Sequence, residues 1–456
     1  MIHQYKMNGY NIVIDGNSGS VHSVDDLAYD VISMYETKKK EEIVEELIEK
    51  YSNEGISSKD IEELISDIDQ LVEEGMLFSE DPYEIIAKEL KNRQSKLKAL
   101  CLHVAHGCNM DCEYCFAGKG EYNNKAGLMS LETAKASIDF LIKNSEGRKN
   151  LEVDLFGGEP LLNWEVCKKT VEYARSLEEK YKKKFNFTLT TNGLLIDDDV
   201  IKFSNEEMGN VVLSMDGRKD IHNRMRHIKK GGDSYEEVIE KFKKFVNARS
   251  DKQYYMRGTY TAYNKDFAYD VIHMADMGFN ETSIEPVVCD KSEAYALNED
   301  DLPKLYSEYE KLALEMLERK KMGKPFNFYH YSINLNGGPC IYKRVSGCGV
   351  GTEYLAVTPT GDIYPCHQFV GDDDFKLGDV YNGITEPKVT KFFENNNIYT
   401  RDKCRDCFAK LYCAGGCAAN NYHSNQDINK VYEFGCKLQR KRIECAIMMK
   451  VAGIEE

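Results

Sequence analysis

Basic charge is scarce in this 456-residue chain: 60 lysines and arginines stand against 76 aspartates and glutamates, a net of −16. Bulk nucleic-acid binding needs a basic footprint, so that class is excluded. The shortage is greatest over residues 1–80, which hold six lysines, no arginine and nineteen acidic residues. Long apolar runs are missing too. None reaches the roughly 18 residues of a membrane-spanning helix, and Met1-Ile2-His3-Gln4-Tyr5-Lys6 carries no signal-peptide pattern. The expectation is a cytoplasmic protein with neither nucleic-acid nor membrane partners. Cysteine, by contrast, is plentiful at fifteen residues. A reducing compartment keeps thiols free, so that number points to metal or redox chemistry and not to a disulfide framework.

Hydrophobic and charged fractions of 42% and 30% are those of an ordinary globular protein, and the length allows two to four domains. Residues 1–92 read as one. Tyr10–Asp15 and Val21–Val24 form a hairpin across a Gly/Ser/Asn turn. Helical patterns follow near 25–36, 41–51 and 59–74, the third capped by Ser57 or Ser58 and closed by Gly75, and Met76-Leu77-Phe78 reads as a short strand. The arrangement is winged-helix-like, but its acidity argues against DNA as the partner. Residues 93–322 alternate strand and helix, with strands expected at 99–105, 151–156, 185–191, 210–215, 255–262 and 281–287. Such alternation implies parallel strands joined by right-handed crossovers, here an α/β fold with an open, partial (β/α)6 barrel. Catalytic groups in such barrels gather at the C-terminal strand ends. Over residues 323–456 the alternation stops and cysteines return.

Cys108, Cys112 and Cys115, spaced C-x₃-C-x₂-C, follow the first of these strands. A four-iron cluster normally takes four thiolates, so a local set of three leaves one iron open to another ligand. Zinc is the alternative, and it requires a fourth protein ligand; His103 and His106 lie upstream but at no usual zinc spacing. Gly157-Gly158-Glu159-Pro160 ends the second strand, Thr191-Asn192 the third, and Ser214 and Asp216 the fourth, while Arg257 lies on the fifth. The glycines suit a backbone laid against a ligand. Farther on stand Cys348-x₁₂-Gly361-x₄-Cys366, then Cys404-x₂-Cys407-x₅-Cys413-x₃-Cys417, then Cys436.

The triplet, with Tyr114 before its last cysteine, and Gly157–Pro160 resemble the radical S-adenosylmethionine (radical SAM) family. The later spacing resembles its seven-cysteine SPASM extension, and residues 1–92 resemble the element that adds a leader peptide to its sheet edge. The likeness is greatest to the maturases of six-cysteine (SCIFF) peptides. It implies three [4Fe–4S] clusters and S-adenosyl-L-methionine. Cys108, Cys112 and Cys115 would hold the cluster whose open iron binds SAM, and reductive cleavage there gives a 5′-deoxyadenosyl radical. Tyr114, Gly157, Gly158, Glu159, Pro160, Thr191, Asn192, Ser214, Asp216 and Arg257 would bind the cofactor, with Glu159 facing its amino group. Cys404, Cys407, Cys413 and Cys436 would ligate a distal auxiliary cluster, and Cys348, Cys366 and Cys417 a nearer one. That nearer cluster is either completed by Cys340 or left open to substrate. The implied reaction joins a cysteine sulfur to an α-carbon in a cysteine-rich precursor peptide carrying a leader, with flavodoxin or ferredoxin as reductant. The rivals are an anaerobic sulfatase-maturing enzyme, which makes formylglycine, and a non-catalytic iron–sulfur or zinc regulator. Cys101, Cys167, Cys289 and Cys445 match no motif.

Overall fold

The computed structural model describes all residues except 91–95, 123–125, 336–339 and 455–456. The N-terminal part pairs three antiparallel strands in the order β1 (Ile2–Met7), β2 (Tyr10–Asp15), β3 (Val21–Val24). The expected hairpin is therefore the β2–β3 half of a sheet whose third strand, with polar His3, Gln4 and Lys6, has no apolar run to announce it. Helices Asp26–Met34, Lys40–Lys50 and Ser58–Glu73 cover one face. The third is capped at Ser57, whose hydroxyl accepts from the Asp60 amide. Val13, Val31, Ile43, Leu47, Ile61, Ile65 and Leu77 close a core separate from that of the barrel. Met76–Phe78 is not the expected strand. The amides of Met76 and Leu77 both turn back to the Leu71 carbonyl at the helix end, and Leu77 plugs the helical core.

The barrel strands are β4 (Ala99–His106), β6 (Asn150–Gly157), β7 (Lys184–Thr191), β8 (Met208–Ser214), β9 (Gln253–Tyr260) and β10 (Glu281–Pro286). They lie parallel in chain order, and β5 (Gly127–Leu128) pairs antiparallel with β4. Fully buried Leu100, Leu155, Leu189, Leu213 and Ile284 mark the apolar side of the strands. The sheet does not stop at these six. β11 (Asn327–Phe328) adds parallel to β10, and β12 (Tyr354–Val357) adds parallel to β4 at the opposite edge. From β12 the sheet turns antiparallel through β13 (Asp362–Tyr364), β14 (Gly378–Asp379) and β15 (Gly383–Ile384). That continuation brings Cys366, two residues past β13, back toward the strand that carries the cysteine triplet. Helix Glu433–Ile454 closes the chain. No helix among the described residues is long and apolar enough to cross a membrane.

Candidate functional site

The thiol loop leaves β4 and is held by backbone. Gly158 N donates to Ala105 O (2.9 Å) and Glu159 N to Gly107 O (3.0 Å). A Cβ on Gly157 would stand 2.2 Å from Ala105 O, and one on Gly158 2.1 Å from Gly107 O. The glycine pair therefore lets the end of β6 lie against the cysteine loop itself, where the sequence suggested a ligand. On the far side Asp111 N donates to His227 O and Glu113 N to Met225 O, at 2.8 and 2.9 Å. Cys108 Sγ accepts from Met110 N at 3.4 Å and from Asn192 Nδ2 at 3.5 Å.

Above this loop opens a cavity of about 520 Å³. Cys108, Cys112, Cys115, Tyr114, Gly157, Gly158, Glu159, Thr191, Asn192, Ser214 and Arg257 all line it, as the strand-end rule requires. Pro160 and Asp216 do not. Pro160 is buried at the start of a 3₁₀ turn, Pro160–Asn163. Asp216 is fully buried beneath the wall: its carboxylate accepts from Tyr114 Oη (2.6 Å) and Thr259 N (3.0 Å) and lies 3.2 Å from Arg226 Nε. Asp216 thus contacts three lining residues, Tyr114, Thr259 and Arg226, from beneath the wall. Glu159 is also largely spent. It accepts from Leu161 N, Thr191 Oγ1 and Asn192 N at 2.8–3.0 Å, and burial still pushes its carboxyl up to about 7. Arg257 is exposed into the cavity and makes no hydrogen bond or ion pair with a described residue.

Several lining residues had no sequence signal. Arg226 is buried in the wall with its guanidinium 5.7 Å from the Tyr114 ring. Opposite, Glu285 on β10 meets Arg442 Nη2 at 3.0 Å and His330 Nε2 at 3.3 Å, and Arg442 Nε donates to Tyr309 Oη at 2.8 Å. Burial alone would raise Glu285, but His330, Arg442 and Arg257 together hold it down to about 2. His367, beside Cys366, also lines the cavity, and its ring centroid lies 5.2 Å from that of Phe156.

Cys417, Cys413 and Cys436 border the same cavity from the C-terminal side. A second, small cavity of about 40 Å³ is lined by Cys404, Cys407, Cys413 and Cys436 together, the four thiols expected to act as one set. Cys348 and Cys417 lie close enough to Cys366 for charge on any one to raise its thiol further, beyond the effect of burial. Arg401, buried at 2% exposure, sits between the sets: it acts electrostatically on Cys404, Cys413, Cys348 and Cys417, and its Nε donates to Ile428 O at 3.3 Å. Cys340 is exposed at the head of helix Ile341–Ser346, and the Gly337-Gly338-Pro339 turn before it lies outside the described residues.

These thiol sets fit a multi-iron group. Burial pushes Cys108 up to about 11 and Cys112 to about 12, so both stay protonated at neutral pH until a cation binds. Among the described residues no three or more His, Cys, Asp or Glu side chains converge on a single metal-ion position. A cube of four irons takes its thiolates at separate corners, and cavities among the thiols suit it better than one zinc ion. His103 Nδ1 and His106 Nε2 face each other at 3.2 Å, and neither lines the cavity.

Comparison with known proteins agrees with this donor chemistry. Residues 102–266 match the radical SAM superfamily, and residues 348–408 match the iron-sulfur cluster-binding SPASM domain. The cysteine-type anaerobic sulfatase-maturating enzyme of Clostridium perfringens is 26% identical over 370 residues, 77% of this chain and 96% of that protein. The solved structure of native anSMEcpe with bound AdoMet superposes with a TM-score of 0.64 at 22% identity, covering 79% of this chain and all of that one. Streptococcus suis SuiB bound to precursor peptide SuiA gives a TM-score of 0.52 at 16% identity, but covers 94% of this chain and 97% of its own. At these identities the two structures show a shared fold.

Proposed function

We propose, for a chain that joins a radical SAM domain to a SPASM iron–sulfur domain, that it installs thioether crosslinks in a ribosomally made, cysteine-rich peptide. The observation that carries the reading is the cavity itself, bounded by the Cys108–Cys115 triplet on one side and by Cys417 on the other. A peptide segment lying there has the radical-generating site and an auxiliary cluster within one enclosure. Bound at the triplet, the cofactor supplies a 5′-deoxyadenosyl radical. Arg257 pairs with its carboxylate, Ser214, Thr191 and Asn192 orient it, and the Asp216–Tyr114–Arg226 group holds the wall in place. The enclosed strand ends keep water from the radical while the acceptor α-hydrogen is abstracted. Flavodoxin or ferredoxin serves as reductant, and three clusters make up the complement.

Recognition of the leader belongs to residues 1–92. Of the two edges of the N-terminal sheet, β1 is turned toward helix Glu433–Ile454, where Tyr5 Oη donates to Glu444 O at 2.9 Å and His3 meets the Glu444 carboxylate at 2.9 Å. β3 is the other edge strand, and on this reading it takes the added peptide strand. Sulfatase maturation is the rival reading, favoured by the 26% identity over 77% of the chain. The wider coverage by a precursor-peptide enzyme supports the peptide reading. Anaerobic incubation with a synthetic cysteine-rich peptide, with and without a leader segment, decides between them. Thioether formation removes two hydrogens per ring and keeps every sulfur. Formylglycine formation removes the sulfur, and its appearance would reject the proposal.

A further inference from the structure

Residues 404–413 do more than present thiols: they are the floor on which the N-terminal sheet stands. Three of the side chains between Cys407 and Cys413 reach it. His3 stacks on Phe408 with ring centroids 3.7 Å apart and planes 3° from parallel. Lys410, 2% exposed, donates from Nζ to Asn17 Oδ1 at 2.8 Å and to Asp81 Oδ2 at 2.6 Å. Tyr412 Oη donates to Gly19 O at 2.9 Å. The backbones touch as well, since a Cβ on Gly16 would lie 2.7 Å from Phe408 Cα.

This floor has little regular structure of its own. Its helices, Asp402–Arg405 and Lys410–Cys413, are four residues each, well short of the roughly 12 an isolated helix needs. Between them the chain is shaped by turns such as Lys410 N to Cys407 O at 3.0 Å. Phe408, Ala409 and Leu411 pack into the neighbouring cores, and the thiols at both ends of the segment meet Cys436 around one small cavity. The fourth thiol stands on the same helix whose Glu444 takes His3. The N-terminal part has a core of its own on the helical face of its sheet, while Met7, Ile12 and Ile14 on the other face join the main core together with Phe408 and Ala409.

We infer that this thiol set has a structural function: a group bound to it fixes the 404–413 segment, so the placement of the N-terminal domain follows the occupancy of the site. The inference rests on the reading of these four thiols as cluster ligands, but not on peptide recognition. Hydrogen exchange on anaerobically reconstituted full-length protein tests it with no peptide present. In Cys407→Ser, iron should fall by about a third, and amides of residues 15–20 and 79–81 should exchange roughly tenfold faster or more. The β2–β3 and β6–β7 ladders should keep their protection, which shows that both parts remain folded. Lys410→Met should keep its iron and loosen the same amides. Unchanged exchange at residues 15–20 in an iron-depleted Cys407→Ser, or in Lys410→Met, would overturn the inference. A Cys407→Ser protein that keeps all its iron would instead refute the cluster reading beneath it.

Discussion

The loop Cys108–Cys115 gathers three thiols within eight residues, whereas the C-terminal region draws seven from Cys348 to Cys436. The first is set by close backbone packing: Gly157 and Gly158 admit the Ala105 and Gly107 carbonyls, and Gly120 leaves no room for a Cβ, which would lie 2.9 Å from both Cys108 Cβ and Gly158 Cα. The second depends on a buried cation, Arg401, among thiols from several segments. A compact loop resists disturbance everywhere except at its glycines. A dispersed set should fail piecemeal, and at residues that are not ligands.

The sharpest break in that comparison is removal of the triplet. Changing Cys108, Cys112 and Cys115 to Ala should lower iron from about twelve per chain to about eight, abolish deoxyadenosine formation and leave the C-terminal clusters in place. Iron analysis and product assay decide it. Loss of all iron would show that the two regions are interdependent.

Gly158→Ala comes next. Its methyl would meet the Gly107 carbonyl at 2.1 Å, and because backbone lies on both sides the strain has no soft outlet. Overpacking of this kind costs about 1–3 kcal/mol. Roughly tenfold loss of SAM cleavage, with wild-type iron in the C-terminal sets, is the expected outcome. Wild-type turnover would show the loop to be more yielding than its contacts imply.

Arg401→Met probes the dispersed set. The variant keeps much of the side-chain volume but removes the buried charge, leaving the Gly415 carbonyl and Asn396 Oδ1 without their donor. Leaving buried acceptors unpaired costs about 1–3 kcal/mol. Some C-terminal iron should be lost on dilution while deoxyadenosine formation persists, as followed by iron content and uncoupled SAM cleavage. Loss of SAM cleavage in parallel would contradict the separation of the two regions.

What the sequence made legible follows the same division. Strand expectations such as 151–156 fall within two residues of the observed Asn150–Gly157, because continuous apolar runs and crossover helices repeat there. The triplet and the strand-end residues were readable from spacing. Arg226, Arg401 and the Glu285–Arg442 pair were not, since each acquires meaning from a partner well removed in the chain, 157 positions in the last case. The pairing of β12 with β4 was equally hidden, as four residues without a crossover helix give no parallel-strand signal. Asp216 was found for its position but lies beneath the cavity wall, whereas Glu159 lines the cavity. A sequence reveals a carboxylate at a strand end, not the backbone amides and hydroxyls that already occupy it.

The smallest expected effect belongs to Cys340, and it bears on how dispersed the C-terminal set is. Two four-iron clusters need eight thiolates, and the seven-cysteine spacing supplies seven. Cys340 stands eight positions before Cys348 at the start of helix Ile341–Ser346 and is exposed, as Cys348 and Cys417 are, while Cys366 is buried. In the proposed thioether-forming reaction an open iron would hold the substrate cysteine as thiolate beside the carbon radical. Cys340→Ala, prepared anaerobically, should therefore retain its iron and its thioether yield within about twofold. Loss of about four irons would show instead that Cys340 closes the cage, and the substrate sulfur would then have to reach the radical unassisted.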